Sequence, residues 1–381
     1  MSTLATARTR NRHTGKARQA VRAIVQTGPR KLELHEFPRP QIGPDEAILR
    51  VEACGICGSD IEQYTGHVKA ASYPFIPGHE PLGIIEEIGE RAARKWGVSV
   101  GDRVAVESLL TCGVCEHCLA GSRNTCGHQV VYGFTPTTLA PALWGAYADY
   151  LYLHPDTIVH RMSKKLPASI AALYNPMGAG VRWAVNTPSM RVGDTVLILG
   201  AGQRGLACVI AAKAAGAGRI IVTDIATAAH KLDLALELGA NCAIVADEDS
   251  VQQRVTDFTA GRMADIVVDV CGATQALVDA VDLVRWGGTI VLAGLKGDGV
   301  GTTLITDKMV MRTISLKGVF TVDPRSYRQA IQLIESGVAA FEKLRSGTYE
   351  LKDAEAAIHR LAGWDGKPPG VHIVIEPRHL Q

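Results

Sequence analysis

Residues 195–205 read Thr195-Val196-Leu197-Ile198-Leu199-Gly200-Ala201-Gly202-Gln203-Arg204-Gly205. The first five predict a buried strand, because an apolar run rich in β-branched side chains fits an interior sheet. G-x-G-x-x-G follows at once. The Ala-rich stretch behind it sets Leu206, Val209 and Ile210 at helical spacing. Asp224 ends the next strand-like run, 19 residues after Gly205. A lone glycine motif says little, but strand, turn, helix and acid in this order form a dinucleotide fingerprint. Gly200, Gly202 and Gly205 permit a tight turn and close approach of a pyrophosphate. Gln203 and Arg204 open the helix on whose N-terminus that group sits. Asp224 is expected to accept hydrogen bonds from the adenosine ribose and to repel a 2′-phosphate. Ile225, Ala226 and Thr227 offer no arginine for such a phosphate, so NAD is expected over NADP. The competing readings are a glycine turn without ligand and, for Asp224 alone, a helix cap.

Outward from this stretch, strands alternate with helices. Arg219–Thr223, Cys242–Val245, Asp265–Asp269 and Thr289–Ala293 are strand runs separated by helical patterns, which predicts a doubly wound parallel sheet. Upstream, residues 21–160 are rich in Gly, Pro and Val, with short alternating runs at 47–53 and 102–106 and frequent turn signals. This is a β-rich domain with long loops. After about residue 320, helices at 327–336 and 353–362 and a strand at 371–375 are expected to return to that first domain. The resulting division is a basic tail (1–19), a first domain (20–175 and 320–381) and a dinucleotide-binding domain (176–319).

With 381 residues the chain has room for two or three domains, and 47% hydrophobic with 20% charged residues is ordinary globular composition. The net charge of +2 sits in the tail. Arg8, Arg10, Arg12, Lys16 and Arg18 face no acid there, and the remainder carries 35 bases against 38 acids. The tail lacks the apolar segment of a secretory signal and is read as a disordered leader, with a faint likeness to a transit peptide. The body shows no basic patch interleaved with aromatics, so no nucleic-acid partner is expected. No apolar run approaches the roughly 18 residues of a membrane span. Nine cysteines without a signal favour a reducing, cytoplasmic compartment.

Four of those cysteines, Cys112, Cys115, Cys118 and Cys126, are spaced C-x2-C-x2-C-x7-C. Four thiolates this close suit one tetrahedral ion, with structural zinc the usual occupant. Disulfide pairing and an iron–sulfur cluster are the alternatives. Two further motifs precede them: Gly55-Ile56-Cys57-Gly58-Ser59-Asp60 and Pro77-Gly78-His79-Glu80. A thiolate and an imidazole supply two zinc ligands. A third protein ligand and an open position would make such a site catalytic. Taken singly, Cys57 reads as a small buried hydrophobe and His79 as a structural histidine. Cys54, Cys208, Cys242 and Cys271 fall in strand or helix patterns and read as packing residues.

Taken together, GICGSD, PGHE, the four-cysteine stretch, GAGQRG and Asp224 resemble the zinc-dependent medium-chain alcohol dehydrogenases, in particular the sorbitol and threonine dehydrogenase-like branch. The likeness runs from about Ala20 to Ile375. It implies an α/β fold of a β-rich GroES-like catalytic domain plus a Rossmann domain. It also implies two zinc ions per chain, NAD, a small alcohol or ketone substrate, and a homodimer or homotetramer. Carried over by position, Cys57 and His79 bind the catalytic zinc, Ser59 passes the substrate proton toward solvent, and Asp60 orients His79. Glu80 lies beside the metal. The chain departs from the family in having Asn175 where a cysteine or glutamate usually precedes Pro176. A neutral amide oxygen is a weaker zinc ligand, so either Glu80 becomes the third ligand or Asn175 binds through its oxygen. Glu62 stands where many relatives carry a relay histidine, and it reads equally as a solvated carboxylate. Tyr64, Leu109, Leu110, Phe134, Trp144 and Leu295 are placed at the pocket by resemblance, which hints at a bulky or secondary alcohol. The chemistry expected is reversible alcohol oxidation with hydride transfer to NAD. The alternative is a NAD-binding structural or regulatory protein with a compromised catalytic zinc site.

Overall fold

In a computed structural model of the chain, residues 20–67 and 72–377 are described. The basic residues assigned to the tail lie outside them. Two large sheets organise the fold. Six parallel strands lie in the spatial order Cys242–Val245, Arg219–Asp224, Thr195–Leu199, Ala264–Asp269, Val284–Leu292, Ser315–Gly318. Counted along the chain this order is 3-2-1-4-5-6, the doubly wound arrangement that places a ligand crevice where the winding reverses. The reversal falls beside Thr195–Leu199, and residues 200–205 sit at its carboxyl end.

The second sheet has seven strands. Arg345–Tyr349 and His372–Ile375 join Ala47–Ile56, followed by Pro81–Ile88, Arg103–Val106 and Val159–Arg161, while Tyr150–Leu153 pairs with Ala47–Arg50. The expected return of the C-terminal segment is therefore made by two strands. Most pairings here are antiparallel, as short runs with tight turns predict.

One short helix joins the sheets. Tyr174–Gly180 packs its side chains into a core that includes Leu82 and Ala105 of the seven-stranded sheet and Val196 and Ile198 of the parallel one. The Tyr174 hydroxyl lies 2.8 Å from the Val106 carbonyl and 3.0 Å from that of Pro81. At its far end, a Cβ on Gly180 would lie 2.4 Å from the backbone of Ala207, which belongs to the helix Gln203–Ala214. Glycine at 180 lets the two helices cross at backbone contact. The chain then continues as a turn of π-helix, Val181–Asn186, a form that recurs near functional sites.

A second tie crosses the same seam. His372, fully buried, is within 2.9 Å of the Ser169 carbonyl through Nε2 and within 2.5 Å of the Gln203 side-chain amide through Nδ1. That pattern suits the neutral ring with the proton on Nε2. Burial pushes His372 down from 6.5 to about 4, with the Ser169 carbonyl pulling weakly the other way. The unfolded chain therefore takes the proton first as pH falls. The stability His372 contributes is complete above pH 6.5 and is lost on acidification toward pH 4. The expected loss by pH 4.5 is about 2–3 kcal/mol. Urea denaturation of wild type and His372→Asn across pH 7 to 4.5 checks this: the wild-type stability should fall more steeply by that amount, and parallel curves would refute it.

Candidate active site

The site is built where the strand Ala47–Ile56 ends. Cys57 follows it and caps the helix Gly58–Thr65. Asp60, in the first turn, accepts the Cys57 amide proton on Oδ2 at 2.7 Å. Its other oxygen lies 3.3 Å from His79 Nδ1. One buried carboxylate thus holds the backbone of Cys57 by a hydrogen bond and faces the ring of His79 as its charge partner. The opposite ring nitrogen, Nε2, is 3.3 Å from the Ser59 hydroxyl. His79 and Glu80 lead into Pro81–Ile88, the strand paired with Ala47–Ile56, and the Gly55 amide donates to the Glu80 carbonyl. A Cβ at Gly55 would come within 2.3 Å of Glu80 Oε2, so glycine there makes room for the carboxylate.

One ligand atom from each of Cys57, His79 and Glu80 lies within 4.8 Å of the other two, and all three residues are buried. Among the described residues, Oε2 of Glu80 has no hydrogen-bond partner. A buried carboxylate oxygen without a partner is costly in a plain protein core. The electrostatics agree with a charged cluster. Burial alone would raise the Cys57 thiol, but Arg204 and His79 outweigh it and hold it at about 5. Burial and the Cys57 thiolate push Glu80 up to about 8, against Arg204 and His79. For His79 burial works downward, but Asp60 and Cys57 raise it well above its usual value.

Arg204 was assigned to the dinucleotide turn on sequence, and its side chain turns out to reach this cluster. Nη2 donates toward Cys57 Sγ at 3.3 Å, Glu80 Oε1 at 3.4 Å and Asn175 Oδ1 at 3.3 Å. The guanidinium also lies over the Trp183 ring, 5.2 Å from its centroid. Asn175, on Tyr174–Gly180, is buried and donates through Nδ2 to the Tyr327 hydroxyl at 3.0 Å. Its oxygen is therefore turned toward the same guanidinium as Cys57 and Glu80. Gln203, also assigned to the turn, sends its side chain to His372. Asp224 accepts the Ala201 amide proton on Oδ2 at 2.7 Å and the Ile225 amide proton on Oδ1 at 2.8 Å, so it braces the glycine turn from the neighbouring strand. Sequence reasoning passed over Asp269 and Lys296, which pair at 2.7 Å by the next strand end. The signal available was an acid closing the strand run Ala264–Asp269 at the same level as Asp224.

The expected pocket residues divide. Phe134 packs on His79, with ring centroids 5.7 Å apart. Trp144 is buried against Tyr132 and Tyr152, its indole N–H given to the Leu139 carbonyl. Tyr64 is also buried, with its hydroxyl donated to Glu355, and Leu110 belongs to the same core. Leu109 is half-buried in a two-residue strand, and Leu295 is exposed. The apolar character read as a pocket thus belongs partly to the core. Glu62 is exposed and pairs with His67, as its surface reading has it.

The four-cysteine stretch folds into a separate lobe. Cys115 Sγ lies 3.8 Å from Cys126 Sγ, which lies 3.6 Å from Cys112 Sγ. Thiolates on a tetrahedral zinc at 2.3 Å stand about 3.8 Å apart, whereas a disulfide brings them to about 2.05 Å. All nine cysteines are free thiols, and the spacing in the lobe fits the ion. Backbone amides of Val114 and Cys115 stabilise the Cys112 thiolate and bring it down to about 6. Cys54 and Cys208 are buried in the core, as expected.

Two family models cover the chain: the alcohol dehydrogenase GroES-like domain matches residues 43–164, and the zinc-binding dehydrogenase domain matches residues 205–336. A probable alcohol dehydrogenase of Mycobacterium tuberculosis is 43% identical over 94% of this chain and 98% of its own length. A sorbitol dehydrogenase of Bacillus subtilis is 33% identical over 90% of this chain and 94% of its own. Among solved structures, an alcohol dehydrogenase of Thermotoga maritima superposes with a TM-score of 0.85 at 25% identity, covering 94% of this chain and all of that one. The chain belongs to the zinc-dependent medium-chain alcohol dehydrogenase family.

Proposed function

We propose that the protein oxidises an alcohol reversibly to a ketone or aldehyde, with hydride passing to NAD. The observation that carries this reading is the convergence of Cys57, His79 and Glu80 on one buried point, next to the first turn of the dinucleotide-binding helix. A thiolate, an imidazole and a carboxylate are ordinary zinc donors, and the unpartnered oxygen of Glu80 belongs in such a set. Cys57 and His79 hold the catalytic ion, with Glu80 as third ligand and Asn175 as the alternative. Cys112, Cys115, Cys118 and Cys126 hold the structural ion. The catalytic ion, when bound, lowers the pKa of an attached hydroxyl.

The remaining work falls to the chain. Asp60 faces the His79 ring at Nδ1, so Nε2, beside Ser59, is the ring atom that would meet a ligand. Ser59, half-buried beside Nε2, carries the substrate hydroxyl proton outward. The glycine turn seats the pyrophosphate on the helix N-terminus, and Asp224 meets the adenosine ribose. Closure of the crevice between the two sheets excludes water. The division into a catalytic unit (20–175 and 320–381) and a NAD-binding unit (176–319) follows the two sheets.

Phe134 against His79 supports a secondary or bulky alcohol. A homodimer or homotetramer is supported by the parallel sheet's edge strand Ser315–Gly318, with Trp286, Val310 and Met311 exposed on nearby elements. No helix among the described residues is long and apolar enough to cross a membrane. A second reading, a NAD-binding regulatory protein with a compromised site, draws support from the guanidinium among the donors.

Metal counting separates the two. The purified enzyme should carry two zinc ions per chain, and Cys57→Ala should lose one. That variant should also lose NAD-dependent alcohol oxidation by more than about a hundredfold. A single ion in wild type, or activity surviving in Cys57→Ala after chelation, would defeat the enzyme reading. Asp60→Asn should keep the fold and the lobe ion. Its catalytic ion should bind about 10–100-fold more weakly, as measured by competition with a chromophoric chelator.

A further inference from the structure

Arg204 is the side chain in this site whose presence the reading above does not explain. It stands in the first turn of Gln203–Ala214, two residues after the N-cap Gly202. A cation there faces the positive end of the helix dipole, an unfavourable place for it. It is held nonetheless, about three-quarters buried, by acceptors from outside its own helix: Cys57 at 3.3 Å, Glu80 at 3.4 Å and Asn175 at 3.3 Å, with Trp183 against its flat face. Among the described residues, no carboxylate of the dinucleotide-binding domain pairs with it. Its partners are the donors read above as metal ligands, including both candidates for the third position.

We propose that Arg204 is an internal competitor for the catalytic metal: its guanidinium engages Cys57, Glu80 and Asn175, and it must withdraw for the ion to take those ligands. The inference rests on the metal reading of the cluster. Its physical basis is simple. A guanidinium nitrogen at nearly equal distances from Cys57 Sγ, Glu80 Oε1 and Asn175 Oδ1 stands against the point where Cys57, His79 and Glu80 converge. Two cations sharing them at contact range in a poorly solvated pocket repel strongly. The cost of displacing Arg204 is then charged to metal binding. The catalytic site should load more weakly, and exchange more readily, than the lobe, where the described residues place no cation among the four sulfurs.

The test compares wild type with Arg204→Leu and Arg204→Lys. Zinc affinity is measured by chelator competition, with the lobe ion as internal control and the circular dichroism spectrum and thermal midpoint as a check on folding. Arg204→Leu should raise the affinity of the weaker site by at least about tenfold, Arg204→Lys should fall between, and the lobe ion should not change. Two ions in both proteins, with the weaker site of wild type filling only at higher free zinc than that of Arg204→Leu, supports the proposal most directly. Unchanged or weaker binding in Arg204→Leu, with the lobe ion and the fold intact, overturns it and leaves Arg204 as a tie between domains. If neither protein binds a second ion, the metal reading of Cys57, His79 and Glu80 fails, and this proposal with it.

Discussion

The site depends on one close helix crossing. Gly180 presses against the backbone of Ala207, at a distance no side chain could share. Those residues belong to helices that serve different sheets. Tyr174–Gly180 is anchored to the seven-stranded sheet through the Tyr174 hydroxyl, and Gln203–Ala214 starts from the central parallel strand. Their contact sets the width of the crevice and brings Asn175 and Arg204 to 3.3 Å. Any larger residue at 180 would push the helices apart. The overpacking would cost on the order of 1–3 kcal/mol, but the greater effect would be on geometry. A separation of a single ångström removes the contacts of Arg204 with three donors at once, because all three stand near the limit of hydrogen-bond length.

Much of this was legible in the sequence. Strand Thr195–Leu199 and the glycine turn came straight from apolar periodicity and spacing, as did the parallel sheet, because buried parallel strands leave continuous apolar runs. The lobe was legible because four thiols at short spacing have few other uses. Cys57, His79 and Glu80 were legible only as motifs, and folding was needed to bring residue 57 beside residues 79 and 80. What sequence could not show is where long side chains end. Gln203 and Arg204 are neighbours in a turn whose backbone meets the pyrophosphate, yet their side chains cross to His372 and to Cys57. Spacing locates a Cα and says nothing of a reach of several bonds. The apolar residues assigned to a pocket failed for a related reason. Trp144 and Tyr64 look alike in sequence whether they line a cavity or fill a core, and only the partners of Trp144 Nε1 and the Tyr64 hydroxyl distinguish the two.

The two unusual residues of the site, Asn175 and Arg204, make sense as a pair. A carboxylate at 175 would give Arg204 a second anion beside Glu80, and the guanidinium would then be locked among three negative groups. Removing one partner from such a buried charge cluster is costly, and so is drawing the guanidinium out of it. A neutral amide changes the balance. Asn175 Nδ2 is committed to Tyr327, and its oxygen offers Arg204 only a dipole. The guanidinium remains held, but by the Cys57 thiolate, one oxygen of Glu80 and an amide carbonyl, a grip that a doubly charged ion can contest. On this argument Asn175 does not simply weaken a metal site by lacking charge. It lowers the hold on Arg204, and the same substitution that makes 175 a poorer ligand makes the remaining ligands easier to release.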